Sequence, residues 1–384
     1  MDYSFSNHSI SEVSVKVLRT LPELEGIRRE WESWPGNRDS EIETYLMCLR
    51  SIPATVRPHV VVVERDGEPD AILVGRIDMG HVSCHLGYLR LNLPAKIMCF
   101  VYGALRGNPS PENCDLIVNS VVKSLSDGEA DVAYMNFLKE ESDLYRLATQ
   151  KPGLLCRDHI RITQQHFATR LSASAEEFYK GLSSGARWQA KSKQKKLIKD
   201  FAGDVKIRCF RQAEELDAMI QDVEQVARKS YQRGIGVGFH DIPAVRSQLR
   251  LKAERGWLRG YVLYVSGKPS AFWIGDINEG TFGSDYLAYD AELGKYSPGM
   301  FLMYKVIEGF CEGNGGEVTA LDFATGHAQY KQLLSNQGWT ESSAYIFSPS
   351  VKGIGINVVR SLIEGAGQGI QTILRRTNLL QKVK

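Results

Sequence analysis

The residues best suited to chemistry lie between positions 281 and 331, around the run Tyr296-Ser297-Pro298-Gly299-Met300. No acidic residue stands between Lys295 and Tyr304, so a helix beginning at this run has a charge-free first turn of Gly299, Met300, Phe301 and Leu302. A helix start offers N–H groups without intrahelical acceptors and the positive end of the helix dipole, while a glycine lets a ligand approach the backbone. The run can therefore hold a phosphate, or it can be a plain Pro-Gly connection. Asp285, Asp322, Tyr330 and Lys331 frame the same stretch with groups able to transfer a proton or meet an anion. A second concentration of charge, Arg187, Lys191, Lys193, Lys195, Lys196 and Lys199, has no acid before Asp200. Arg187, Lys191 and Lys195 share one helical face, which is either a solvated surface or a wall for a polyanion. The glycine-rich loop 232–241 carries His240 beside Asp241 and reads as a substrate lid or a simple connection.

The elements that must position these groups follow from periodicity. Residues 281–289 alternate aromatic and small side chains as a half-buried strand does, and the turn formers of 290–299 end it. From Met300, the apolar residues Leu302, Met303, Val306, Ile307 and Phe310 recur at helical spacing until the glycine-rich stretch 313–316, and 318–323 is a second strand. Upstream, 14–18 reads as a strand, 21–34 and 42–52 as helices, 174–177 as a capping box and 216–231 as a helix; residues 338–350 read as closing strands.

A hairpin recurs. Residues 60–77 turn at Asp66-Gly67, and an offset of 200 places Gly67 on Gly267, Pro69 on Pro269, Ala71 on Ala271, Gly75 on Gly275 and Ile77 on Ile277. Each copy continues with a strand, a Pro-led helix and a strand, so the architecture is two copies of one α/β unit. In the first copy the helix after Ser110-Pro111 opens with Glu112 and Asp115, which suit a helix dipole but repel a phosphate, so the ligand is expected in the second copy.

At 384 residues with net charge +2, the chain is long enough for two ordinary domains and carries no whole-surface basic footprint for DNA. Seven cysteines are odd in number, and none falls at metal-ligand or redox spacing, so no metal is expected. No apolar run reaches membrane-span length and the polar start lacks signal-peptide features, so a cytoplasmic protein is expected. In the tail 351–384, Val358, Leu362, Ala366, Ile370, Ile373, Leu374 and Leu380 fall near one helical face, with Arg360, Arg375, Arg376, Lys382 and Lys384 elsewhere. Docking of that face onto the protein is expected, with peripheral contact to an anionic membrane as the alternative; Gly365, Gly367 and Gly369 weaken a helix there.

The order Tyr296-Ser297-Pro298-Gly299, apolar helix, Asp322, Gly326 and Tyr330-Lys331, preceded by the Gly267-Lys268-Pro269 hairpin and the basic segment 182–197, resembles the second half of tandem GNAT-fold acyltransferases. The resemblance is to the CelD-like cellulose-biosynthesis acetyltransferases, distantly related to FemAB aminoacyl transferases, and covers residues 165–350 well. It implies an α/β (α+β) chain of two tandem GNAT-like domains, each a mixed, mostly antiparallel sheet flanked by helices. Residues 1–165 would be non-catalytic, 166–350 catalytic and 351–384 a basic tail. An acyl-CoA would be the co-substrate, held by Tyr296, Ser297, Pro298, Gly299, Met300, Arg187, Lys191 and Lys331, with a backbone N–H of 286–289 facing the thioester oxygen.

Asp322 is then the first candidate base, or a turn residue before the helix 327–336, and Asp285 the second; Tyr330 is the candidate acid, or a core residue. In ordinary GNATs the last-helix tyrosine precedes a Gly-aromatic pair by four residues, whereas Gly338-Trp339 follows Tyr330 by eight. The acceptor would be an amine or hydroxyl of a small molecule or a polysaccharide precursor. A FemAB-type transfer from charged tRNA and a non-catalytic binding module remain open beside it.

Overall fold

A computed structural model describes residues 12–50, 56–86, 89–313 and 318–376, the side chains of 368–376 excepted. Expectations resting on the polar start, Ile52, residues 314–316, the side chains of Gly369 to Arg376, and Leu380, Lys382 and Lys384 fall outside these residues. The chain divides into two units, Met1–Gln164 with Thr340–Lys384, and Gln165–Trp339.

In the first unit, β1 (Val13–Leu18), α1 (Leu21–Glu25), α2 (Arg28–Ser33) and α3 (Ile42–Arg50) precede β2 (Arg57–Pro58), β3 (Val60–Arg65), β4 (Glu68–Leu86) and β5 (Leu89–Gly107). Then come α4 (Pro111–Ser126), β6 (Val132–Lys139) and α5 (Asp143–Gln150). The second unit takes most of β7 (Ile162–Arg170), then α6 (Ala175–Gly181), α7 (Ser184–Asp200), β8 (Val205–Phe210), α8 (Leu216–Arg228), α9 (Tyr231–Gly234) and α10 (Pro243–Glu254). It continues through β9 (Leu258–Val265), β10 (Lys268–Asn278), β11 (Thr281–Tyr289), α11 (Pro298–Cys311), β12 (Ala320–Thr325) and α12 (Gln329–Leu334). Most of β13 (Gln337–Phe347) and all of α13 (Val351–Arg376) belong to the first unit, where the sequence division had placed 340–350 with the second copy.

Strand order in the first unit is β1-β3-β4-β5-β6-β13, with β2 on β4, and in the second β7-β12-β11-β10-β9-β8. Each sheet is antiparallel except at one parallel pair, β5 with β6 and β11 with β12. The sequence explains why both faces are covered. Val61, Val63 and Leu73 pack with Ile117, Val118 and Val121 of α4, whereas Val60, Val62, Ile72 and Val74 pack with Trp31, Tyr45 and Leu46. A strand covered on both faces reads as a continuous apolar run, as Val60-Val61-Val62-Val63 does. In the second unit Leu263, Ala271 and Trp273 pack against Leu302, Ile307 and Phe310 of α11, and Val262, Phe272 and Ile274 against Met219, Ile220 and Val223 of α8.

The duplication is visible in backbone geometry. Asp66 and Gly67 have φ of 53° and 84°, and Ser266 and Gly267 have 50° and 73°, so both hairpins turn through two left-handed residues. Both copies are bulged beside the matched glycine, between Leu73 and Gly75 and between Ile274 and Gly275. A side chain at Gly275 would meet the Gly283 carbonyl at 2.0 Å, so only glycine fits that crossing.

Two helical expectations need correction. Residues 21–34 are two helices, because Gly26 donates back to Leu24 and Pro22 and closes α1. In α13 the exposed residues include Val358, Leu362 and Ala366, the face expected to dock. Arg360 paired with Asp158 and Asn357 bonded to the Leu155 and Arg157 carbonyls seat the opposite face instead. Among the described residues no helix is long and apolar enough to cross a membrane, and no three His, Cys, Asp or Glu side chains are grouped to hold a metal.

Candidate active site

The second unit opens where β11 and β12 part. They pair only at Thr281–Ala320, Phe282–Leu321 and Gly283–Asp322. Immediately beyond, Asp285 is the extra residue of the bulge between β11 and β10. A bulge bends its strand and disrupts the ladder. Residues 284–289 run on beside β10 alone, and a cavity of about 530 Å³ is lined by β11, the start of α11, α12, α7 and α9.

Helix α11 presents its N-terminus to this cavity through Ser297, Gly299 and Met300. Ser297 sits in the left-handed region at φ 54° and its hydroxyl makes no cap bond. Pro298 has no N–H and Phe301 donates to Ser297, which leaves the Gly299 and Met300 N–H groups without an acceptor among the described residues. The first copy differs at this point. Ser110 accepts from the Asn113 N–H, Glu112 is held by Arg65 at 2.9 Å and Asp115 by Lys151, so the start of α4 is capped and carboxylate-bearing. Gly299 is buried: a Cβ there would lie 3.3 Å from the Tyr289 ring.

Gln232 of α9 reaches the parted edge of β11, its Nε2 donating to the Leu287 carbonyl at 3.0 Å. In an antiparallel ladder the N–H and C=O of one residue point to the same side, so the Leu287 N–H also faces the cleft. The Gln232 Oε1 is buried with no partner, a polar atom open to a donor. Tyr330 lines the cavity edge-on to Phe323, and its hydroxyl has no hydrogen-bond partner among the described residues. Burial, with Tyr231 second, raises its phenol and keeps it protonated at neutral pH. Tyr304 is likewise pushed up to about 12 by burial. Gln194 is oriented by Tyr179, which donates to Glu308. Among the described lining residues there is no Asp or Glu, and the one lysine is Lys193, whose Nζ donates to the Lys295 carbonyl at 2.9 Å.

The sequence candidates divide accordingly. Ser297, Gly299, Met300 and Tyr330 line the cavity. Pro298 is buried in its frame, and Tyr296 is buried with its hydroxyl on Asp200 and its ring beside Lys196 and Lys295. Lys331 donates to the Thr325 carbonyl at 2.6 Å, and burial lowers its ammonium while Asp322 opposes that shift. Asp322 is outside the lining. Its Oδ1 accepts from His166 at 2.7 Å and from the Ala324 N–H at 2.7 Å, and His166 is stacked 4.2 Å over Trp339. Asp285 is paired with Lys252, which also holds buried Asp276. Arg187 closes α6 by donating to the Lys180 and Leu182 carbonyls, Lys191 is exposed away from the cavity, and Asp241 beside His240 is bound to Arg246.

Three residues escaped sequence reasoning, and a fourth, Lys193, was named only within the basic run and not on its ligand-facing side. Lys193 was legible in principle, since Ala186, Ala190 and Leu197 mark the inward stripe of α7 and Lys193 flanks it. Gln232 and His327 carry no local signal, as chain reversals bring them to the cavity. His327 Nδ1 lies 3.1 Å from the Gln332 amide nitrogen, a donor, which leaves the ring proton on Nε2. His166 could not be foreseen from a strand of mixed polarity.

The family model described as Acetyltransferase (GNAT) domain matches residues 184–332. Among solved structures, FemX is 11% identical over 86% of this chain and 96% of its own, with a TM-score of 0.54. A conserved protein of unknown function from Bacteroides thetaiotaomicron VPI-5482 is 11% identical over 87% of this chain and 100% of its own, with a TM-score of 0.51. A search of curated proteins finds no match. The two likenesses are of fold alone. The matched stretch, residues 184–332, lies within the second unit, so the similarity to a GNAT acetyltransferase domain rests on that unit.

Proposed function

We propose that the chain moves an acyl group from a CoA thioester to an amine or hydroxyl of a small molecule or a polysaccharide precursor, as the CelD-like resemblance implies. The observation that carries this reading is the uncapped start of α11, where the Gly299 and Met300 N–H groups face a cavity free of carboxylates among its described lining residues. Those amides and Lys193 receive the diphosphate. The parted edge of β11 receives the pantetheine amides, with Gln232 Oε1 as a further acceptor. The Leu287 N–H meets the carbonyl oxygen as it gains charge, worth about 10²–10³ in rate.

The nucleophile enters uncharged, attacks the thioester carbon and releases its proton to water; the C–S bond breaks and Tyr330 protonates the departing thiolate. Tyr330 is then restored from solvent. Thiol release from acetyl-CoA and longer acyl-CoAs against a panel of amines and sugar phosphates tests the reading, and absence of thiol release with every pair would overturn it. The exposed Lys191, Lys195 and Lys199 favour a second reading, transfer from an aminoacyl-tRNA. Competition between tRNA and CoA for the protein separates the two.

A further inference from the structure

Helix α13 leaves more aliphatic surface exposed than a helix that only caps its own domain needs. Its inner face carries Gly353, Ile356, Asn357, Arg360 and Gly367, all buried. Asn357 donates to the Leu155 and Arg157 carbonyls at 3.0 and 2.8 Å, and Arg360 pairs with Asp158 beneath the Tyr345 ring. Glu364 accepts from the His85 N–H at 2.7 Å. The outer face carries Val351, Val358, Val359 and Leu362, exposed by 93%, 47%, 36% and 68%. Asn357, Arg360 and Glu364 seat the helix beside Ile356, while four aliphatic side chains meet solvent where a helix that only covers a core carries polar ones.

We propose that this outer face lies on an anionic lipid bilayer. Two further observations choose that occupant. The sequence continues the stripe at helical spacing with Ala366, Ile370 and Ile373, then supplies Arg375, Arg376, Lys382 and Lys384, with no acid after Glu364. Leu89 and Leu91, exposed by 72% and 44%, pair with Leu86 and Cys84 and so stand on the hairpin face that holds buried Cys84 and Val82 on the side packed by α13. An apolar stripe followed by cations matches hydrocarbon beneath negative headgroups. A symmetric pair of chains would set the same patch and the same cations against themselves, with no carboxylate on the outer face to meet them.

The test is sedimentation of the full chain with vesicles of equimolar phosphatidylglycerol and phosphatidylcholine, against vesicles of phosphatidylcholine alone. The chain should partition to the anionic vesicles at least ~10-fold better, and added salt should reduce the difference. The double variant V358D/L362D should lose that binding by ~10-fold with its circular dichroism and melting temperature unchanged, because both side chains are solvent-facing. Leu362→Trp should strengthen it, which keeps the test meaningful if the double variant misfolds. Failure of the wild type to bind either vesicle overturns the proposal. So does a wild-type dimer by light scattering that Leu362→Asp dissociates, which would assign the face to a second copy. Neither result bears on thiol release by the other unit.

Discussion

His166 donates from Nε2 to Asp322 Oδ1 at 2.7 Å, and the same oxygen accepts the Ala324 N–H, so this carboxylate within β12 is committed to holding the turn that follows. That turn includes Ala324 at φ 58° and Gly326 at φ 96° and delivers His327 and Ala328 to the cavity. An asparagine accepts both bonds as well. Asp322→Asn is therefore expected to keep turnover per folded molecule within about threefold, while Asp322→Ala removes the carboxylate from a buried imidazole and from the turn and lowers stability by about 1–3 kcal/mol. Denaturant melts beside thiol-release assays decide it. A fall in turnover of ~10²–10⁴ in a fully folded Asp322→Asn would make the carboxylate the proton acceptor that the sequence suggests.

Tyr330 supplies a protonated phenol in the cavity. Tyr330→Phe keeps the ring against Phe323 and removes only the hydroxyl, so turnover should fall by ~10²-fold with CoA affinity unchanged. Calorimetry with CoA and steady-state thiol release measure the two quantities separately. Equal loss in both would assign the phenol to binding.

Two lysines two residues apart on α7 should behave differently. Lys193 lines the cavity and Lys191 does not. Lys193→Glu is expected to weaken CoA binding ~10-fold or more, with a larger effect at low salt, whereas Lys191→Glu should change it by less than about twofold. Identical responses would mean that the field of the whole helix, rather than its inner edge, meets the ligand.

The first unit carries a built-in acid sensitivity. His59 is fully buried with neither ring nitrogen hydrogen-bonded, and burial pushes it down to about 4, with Glu129 pulling the other way without prevailing. The unfolded chain takes this proton near pH ~6.5 and the folded one only near 4, so the stability is present above the first value and lost as pH falls towards the second. The full loss amounts to about 3 kcal/mol. His59→Phe should flatten the fall in melting temperature over that interval. Parallel curves for variant and wild type would place the sensitivity elsewhere.

The duplicated hairpin, its left-handed turns and the Pro-led helix of each copy were legible, because each is a local rule written in a few residues: Asp66-Gly67, Ser266-Gly267, Ser110-Pro111 and Ser297-Pro298. The contrast in charge at the starts of α4 and α11 was legible too. What it did not reveal is that Ser110 caps its helix while Ser297 leaves its own open, since that depends on one φ angle. Side-chain partners across strands were beyond local reading. His166 lies 156 residues from Asp322 in sequence, and Lys252 is 33 from Asp285. The outward face of α13 was hidden for a related reason: periodicity shows that a stripe exists but not which side Arg360 and Asn357 will anchor.

The central claim is that the start of α11 holds the diphosphate of CoA, and titration calorimetry of CoA into the wild type and Gly299→Asp tests it most directly. A carboxylate at Gly299 stands where the anion would sit, and its Cβ requires the Tyr289 ring to give by a few tenths of an ångström. An acidic residue in a first turn suits the helix itself, so the variant should stay folded. The account predicts a single CoA bound by the wild type and binding at least ~100-fold weaker in Gly299→Asp. Undiminished CoA binding by a folded Gly299→Asp, or a second equivalent of CoA on the wild type, would contradict it.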